Sequence, residues 1–118
     1  MRYLSIYQGV ETGAPPSQTE IERMGKLIED SMKAGYLLSA EGCLPSAKGA
    51  RVRLDNGKIT VVDGPFTESK EIVGGFAILQ AASKAEALEY VRRFLFVAGD
   101  GVCELRELYD VPAAGPGA

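Results

Sequence analysis

The sequence contains no histidine, and this absence excludes several classes of active site. Without an imidazole there is no histidine-dependent nucleophile triad, no histidine proton shuttle and no transition-metal site built on imidazole ligands. Any chemistry must therefore use carboxylates, lysine, arginine, tyrosine or cysteine. No cofactor and no metal are predicted.

Cysteine is scarce as well. The two cysteines, Cys43 and Cys103, do not form a closely spaced pair of the kind that binds zinc or carries redox chemistry. We expect both to be small, buried, hydrophobic side chains. A disulfide between them is not expected in a reducing compartment.

Long apolar runs and basic runs are also missing. The opening segment 1–7 has no apolar stretch of signal-peptide length, and no later stretch approaches the roughly 20 apolar residues of a membrane span. We therefore expect a cytoplasmic protein that does not enter a membrane. A formal net charge of −3, without a cluster of lysines and arginines, argues against a nucleic-acid partner.

What is present is an ordinary globular composition. The chain has 118 residues, of which 46% are hydrophobic and 25% charged, as expected for one domain that buries its own core. We place this domain at residues 1–110. Residues 111–118, rich in Pro, Gly and Ala, are predicted to form a flexible tail.

Periodicity and capping residues predict the order strand, helix, strand, hairpin, central strand, helix, strand. The first helix can be capped by Ser17 or Thr19 and stops at Gly35. Ser83 and Glu86 predict a capping box for the second helix, which ends near residue 99. The remaining predicted strands are 3–7, 36–40, 72–80 and 102–109.

The hairpin is predicted most directly, because Asn56-Gly57 is a preferred two-residue turn. This turn pairs residue 55 with 58, 54 with 59, 53 with 60, and 52 with 61. The register places the apolar pairs on one face and the polar pairs on the other. Arg51 and Arg53 therefore share a face of the hairpin.

The strand Ile72–Gln80 is apolar on both faces, with Phe76 and Ile78 on one side and Ala77 and Leu79 on the other. Such a strand is typical of a sheet covered on both sides. Two helices cover only one face, so we expect a second copy of the chain to cover the other, as a homodimer packed sheet against sheet.

Two glycines, Gly74 and Gly75, interrupt this strand, although glycine weakens a strand unless a close neighbour requires the missing Cβ. We expect such a neighbour here. The candidates are the turn that precedes the strand and a partner subunit.

The segment 63–71 is the densest collection of candidate site residues in the chain. It combines three acids, one lysine and two hydroxyls with turn-forming residues. An aspartate that opens a turn normally accepts a bond from the N–H two residues on, and here that residue is Pro65, which has none. We therefore expect Asp63 to be mostly buried and to accept at least two other hydrogen bonds.

These motifs resemble the DGPF-motif branch of the YCII-related proteins over residues 1–109. The residues that carry the resemblance are Arg51-Val52-Arg53, Asn56-Gly57-Lys58, the run from Asp63 to Glu71, Gly74-Gly75-Phe76, and the earlier loop Ala40–Pro45. The resemblance implies an α+β, ferredoxin-like subunit, with an antiparallel sheet and two helices on one face, that pairs as a dimeric α+β barrel. It also implies a link to extracytoplasmic-function sigma factors.

Three functions follow from these residues. The first is a dimer that binds a small molecule near the turn, an anionic one being favoured by the arginines. The second is an enzyme with Asp63 as acid or base, assisted by Lys70 or an arginine. The third is a regulatory partner of a sigma factor. The predicted ligand-binding residues are Arg51, Arg53, Asp63, Phe66, Thr67, Glu68, Lys70 and Gly75.

Overall fold

The structure is a computed structural model that describes residues 1–66 and 71–110. It is an α+β fold in which two helices pack against an antiparallel sheet. The predicted tail at 111–118, and the candidate site residues Thr67, Glu68 and Lys70, lie outside the described residues. In chain order the elements are β1 (Arg2–Gly9), α1 (Gln18–Lys33), β2 (Leu37–Gly42), β3 (Ala50–Asp55), β4 (Lys58–Asp63), β5 (Ile72–Gln80), α2 (Lys84–Ala98) and β6 (Val102–Glu107).

Four strands form the main sheet in the order β2-β5-β1-β6, and all neighbours are antiparallel. Strand β5 pairs with β1 on one side and with β2 on the other, which confirms the prediction that it is a central strand. This strand order, with a helix after the first strand and another before the last, is consistent with the ferredoxin-like fold predicted from the sequence.

The helices begin where the capping residues predict. Of the two candidates for α1, Ser17 is the cap: its side chain and that of Glu20 each accept a hydrogen bond from the other residue's backbone N–H. At α2 only one of the two hydrogen bonds of the predicted capping box forms. Ser83 accepts from the Glu86 N–H, while the Glu86 carboxylate accepts from the Ala82 N–H at 3.4 Å instead.

The hairpin of β3 and β4 has the predicted register throughout. Asn56 has a φ of 49° and Gly57 a φ of 78°, as the turn type requires. The hairpin forms a separate two-stranded sheet, and every residue of both strands is exposed. It therefore stands apart from the main sheet.

The core lies between the helices and the main sheet. Its buried hydrophobic side chains come from the strands, from α2 and from the connection between β5 and α2: Tyr3, Leu37, Leu79, Ala81, Ala87 and Val91. The expected burial of both cysteines is wrong for Cys43, which is exposed in the loop after β2. In the described ranges, no helix is long and apolar enough to cross a bilayer.

Candidate functional site

Asp63 is the last residue of β4, where it pairs with Ala50, rather than the first residue of a free turn. Its side chain is exposed, and its carboxylate accepts no hydrogen bond from any described residue. The expectation of a buried, hydrogen-bonded Asp63 is therefore wrong for the single chain. The physical reason is that the hairpin does not pack on the main sheet, so its end stays in solvent.

The turn after Asp63 is anchored by a residue that the sequence did not indicate. Ser46 is 7% exposed and lies in a short 3-10 turn, Ser46–Lys48. Its N–H donates to Glu11 Oε1 at 2.5 Å and its hydroxyl to Glu11 Oε2 at 2.7 Å. The Phe66 N–H in turn donates to Ser46 Oγ at 3.1 Å. Hydrogen bonds to Glu11 thus fix the position of Ser46, and Ser46 in turn anchors the backbone of the turn at Phe66.

Close backbone packing also links the turn after Asp63 to the segment 46–49. The Gly64 N–H donates to the Gly49 carbonyl at 3.0 Å. A Cβ atom on Gly64 would overlap the carbonyl oxygen of Ser46, so only glycine fits at this position without a shift of the backbone. The peptide bond between Gly64 and Pro65 is cis.

Two predicted site residues are in contact at this turn. The Arg51 guanidinium lies over the Phe66 ring, with Cζ 4.0 Å from the ring centroid, a cation–π arrangement. Arg53 shares the Arg51 face of the hairpin, as predicted, and is exposed. The structure therefore brings Arg51 and Phe66 together and leaves Arg53 on the surface.

Among the predicted site residues that the structure describes, Gly75 is the one that borders a cavity in the main body. A Cβ on Gly75 would lie 2.7 Å from the carbonyl oxygen of Glu41, and a Cβ on Gly74 would lie 3.2 Å from the ring of Tyr7. The predicted close approach exists at both glycines. Within the described chain, the neighbours are β2 and Tyr7; the approach of a partner subunit stays a prediction.

The cavity itself has a volume of about 540 Å³ and lies between the two helices and the sheet. It extends from the glycines at the start of β5 to Leu37 and Leu79 at the other end of the same strands. Its walls are largely apolar, with side chains from both helices facing the sheet. These side chains include Ile21, Met24, Ile28, Val91, Phe94 and Val97.

At the Leu37 end, the cavity is bounded by two tyrosines. The rings of Tyr36 and Tyr90 are stacked, with centroids 3.7 Å apart and planes inclined by 8°. The Tyr90 hydroxyl donates to Glu86 Oε1 at 2.9 Å, and this hydrogen bond, together with burial, raises the pKa of Tyr90. The Tyr36 hydroxyl is 2.5 Å from Ser31 Oγ, a side chain that is also buried.

At the glycine end, the cavity is bounded by Tyr7. Its hydroxyl donates to the Asp100 carbonyl at 2.8 Å, and its ring meets Phe94 edge to face at 5.4 Å. Burial raises the pKa of Tyr7. A Cβ on Gly101 would lie 2.6 Å from this ring, so Gly101 and Gly74 make the space that Tyr7 occupies.

Sequence reasoning missed the cavity because it depends on how the helices sit over the sheet. One signal was available in β1, where Tyr3, Ser5 and Tyr7 alternate with Leu4 and Ile6. The structure turns the tyrosine and serine side toward the helices and the cavity, and the aliphatic side away from them. Hydroxyl groups on the strand face that points toward the helices indicate a cavity lined by polar groups rather than a purely apolar core.

Comparison with known proteins identifies the family of this chain. The chain is 38% identical over 61 residues to an uncharacterised protein of Rhizobium meliloti (strain 1021), a stretch that covers 52% of this chain and 49% of that protein. The chain thus spans about half the length of this curated relative. The family model of the YCII-related domain matches residues 1–112. This chain therefore belongs to the YCII-related domain family.

Proposed function

We propose that this protein is a homodimer that binds a small molecule in the cavity between its helices and its sheet. The cavity carries the proposal: its volume of about 540 Å³ falls within the range of roughly 300–1,000 Å³ that is typical of ligand sites. Its mostly apolar wall with a few hydroxyl groups is also typical of such sites.

In the sequence, the segment 63–71 that was singled out is followed directly by β5. Gly74 and Gly75, at the start of this strand, border the cavity. Arg51, Arg53 and Asp63 lie on the hairpin and do not line it. No described residue that lines the cavity is a lysine or an arginine. This supports a ligand other than the anion that the arginines favoured.

Ala77 offers a direct test, because it lies on the helix-facing side of β5 and lines the cavity. We expect Ala77→Leu to fill the cavity and to weaken binding of the neutral fluorophore N-phenyl-1-naphthylamine at least about tenfold, a loss of about 1.4 kcal/mol. The matched control is Ala85→Leu on the exposed side of α2, which should bind as the wild type does. Absence of saturable binding to the wild type, or equal binding by all three proteins, would contradict the proposal.

The dimer is supported by apolar surface that the described chain leaves uncovered. Leu4, Ile6, Phe76 and Ile78 pair across β1 and β5 on the sheet face away from the helices, and Phe76 is 38% exposed. We call these four residues the open-face patch. An exposed apolar patch in the centre of a sheet is typical of a subunit interface.

The hairpin adds a second uncovered apolar surface. Its paired side chains Val52, Leu54, Ile59 and Val61 are 66%, 68%, 56% and 61% exposed. A two-stranded hairpin is at best marginally stable alone in water. Coverage by a second copy would stabilise it.

Phe76→Glu tests this arrangement by placing a charge in the open-face patch. We expect light scattering to show a dimer for the wild type and a monomer for Phe76→Glu, with folding of each protein checked by circular dichroism. The matched control is Phe96→Glu on α2, where the ring is 84% exposed, and this variant should remain dimeric. A folded, dimeric Phe76→Glu variant, or a monomeric Phe96→Glu variant, would place the interface elsewhere.

The other roles stay predictions. A catalytic role for Asp63 has no supporting contact, because no described side chain bonds to its carboxylate. Partnership with a sigma factor and a cytoplasmic location likewise await experiment.

A further inference from the structure

We infer that the occupant of the cavity is an uncharged, mainly apolar molecule with one oxygen acceptor, bound through the hydroxyl pair of Ser31 and Tyr36. This inference rests on the proposed function, since it names the ligand class of the same cavity. Three observations carry it: the isolation of the hydroxyl pair, the composition of the wall, and the charges around it.

The hydroxyl pair is partly buried, and its two oxygens bond to each other. Ser31 lies near the end of α1 and is 4% exposed, while Tyr36 lies just before β2, and both border the cavity. Their oxygens are 2.5 Å apart, and in the described part of the chain neither side chain makes another hydrogen bond.

The hydrogen bond within this pair leaves one of the two O–H groups without an acceptor in the pair. Two hydroxyls carry two protons, and a hydrogen bond between them uses one. The second O–H has no acceptor among the described residues, and a donor in this partly buried position is stabilised by an oxygen partner. A carbonyl or ether oxygen on a bound molecule would accept this proton.

The remaining wall favours a neutral, apolar body for that molecule. Along the cavity from the hydroxyl pair, α1 presents Ile28 and Met24 and α2 presents Val91 and Phe94. Such side chains offer no hydrogen-bond partner to a polar group. The ligand is therefore expected to be apolar except at the end that meets Ser31 and Tyr36.

Charge argues against an anion in this space. The charged residues among the described lining are both acidic, Glu20 and Glu41, and Glu86 lies behind Tyr90. A carboxylate ligand would be buried without a positive partner and near negative charge, which is strongly unfavourable. A cation would likewise lose its hydration against the apolar wall of Met24, Ile28, Val91 and Phe94.

Three naphthalenes of similar shape separate these ligand classes: 2-acetylnaphthalene carries a ketone, 2-isopropylnaphthalene carries no oxygen, and 2-naphthoate carries a negative charge. We would measure the dissociation constant of each by equilibrium dialysis against wild type, Tyr36→Phe and Tyr109→Phe. Tyr36→Phe keeps the ring that stacks on Tyr90 and removes only the hydroxyl. Tyr109→Phe is the matched control, because Tyr109 is 86% exposed and does not line the cavity.

For the wild type, we expect the ketone to bind and the naphthoate to bind at least about tenfold more weakly. Tyr36→Phe should weaken ketone binding about three- to tenfold, as the loss of one net hydrogen bond predicts, and leave hydrocarbon binding unchanged. Tyr109→Phe should change neither constant.

The other outcomes separate the two proposals. If the hydrocarbon and the ketone bind alike and Tyr36→Phe affects both equally or neither, the cavity binds ligands but the hydroxyl pair does not recognise them, and the inference fails. Tightest binding of the naphthoate also overturns it. If none of the three compounds binds to the wild type, the proposed function fails together with the inference.

Discussion

Gly75 in β5 lies so close to Glu41 in β2 that a Cβ atom on residue 75 would be 2.7 Å from the Glu41 carbonyl oxygen. Its register partner in β2, Gly42, has no atom within 4 Å of the place where its own Cβ would lie. Two glycines that face each other across one pair of strands therefore differ in how much space they have. This difference allows a matched experiment.

We expect Gly75→Val to lower the free energy of unfolding by about 1–3 kcal/mol, because the new side chain must displace the backbone of β2. Gly42→Val should have a smaller effect, since its side chain enters open space. Urea denaturation of the two variants measures the difference. An unchanged stability of Gly75→Val would show that the close approach carries no constraint.

Ser46→Ala should lower the free energy of unfolding by about 1–3 kcal/mol, because it leaves the Glu11 carboxylate without its hydroxyl donor and the Phe66 N–H without its acceptor. A double-mutant cycle with Glu11→Ala measures how much of this effect belongs to the pair. We expect the double variant to be less destabilised than the sum of the single variants. Strict additivity would indicate that the contact between Glu11 and Ser46 contributes nothing to stability.

Gly25→Ala is expected to stabilise the protein by about 0.5–1 kcal/mol, because glycine in the interior of a helix costs about that much relative to alanine. A Cβ at residue 25 of α1 would have no atom within 4 Å, so no steric penalty opposes the gain. Thermal or urea denaturation measures it. A destabilised Gly25→Ala variant would indicate that the cavity beside α1 is filled more closely than the structure shows.

Stability should fall at high pH because the folded protein holds the proton of Tyr90 more tightly than the unfolded chain does. The hydrogen bond to Glu86 raises the pKa of Tyr90 above its ordinary value of 10.0, so the unfolded chain ionises first as the pH rises. The contribution of Tyr90 is fully present below about pH 10 and is lost as the pH rises through the folded pKa. Burial raises the pKa of Tyr3 and of Tyr7 in the same direction.

We therefore expect Tyr90→Phe to be less stable than the wild type near neutral pH and the difference to narrow above about pH 10. Urea denaturation at a series of pH values gives both curves. Tyr109→Phe, which changes an exposed ring, should follow the wild type throughout. A constant difference between Tyr90→Phe and the wild type across the series would rule out this linkage.

Features that depend on neighbouring residues could be predicted from the sequence. The register of β3 and β4 follows from Asn56-Gly57, because two residues that accept positive φ decide which residues face each other. The start of α1 at Ser17 and the alternation in β5 are local in the same sense. These signals placed the elements of the α+β fold correctly.

The candidate site was predicted less well, because its contacts join distant parts of the chain. Glu11 and Ser46 are 35 residues apart, and nothing in the composition of either segment indicates that they bond. The environment of Asp63 depended on whether the hairpin packs on the main sheet. The sequence pattern of the hairpin is the same in either case.

The amino-acid sequence by itself thus determined the secondary structure, the hairpin register and the lack of imidazole chemistry, since each follows from residue type or from local backbone preference. Only the tertiary structure decided that Tyr3, Ser5 and Tyr7 face the helices, that Asp63 is exposed, and that a cavity remains between the helices and the sheet. A strand pattern with a period of two defines two faces but does not say which one another layer will cover. That choice is made by packing between layers, and it moved the candidate binding site from the arginines of the hairpin to the tyrosines and serines under the helices.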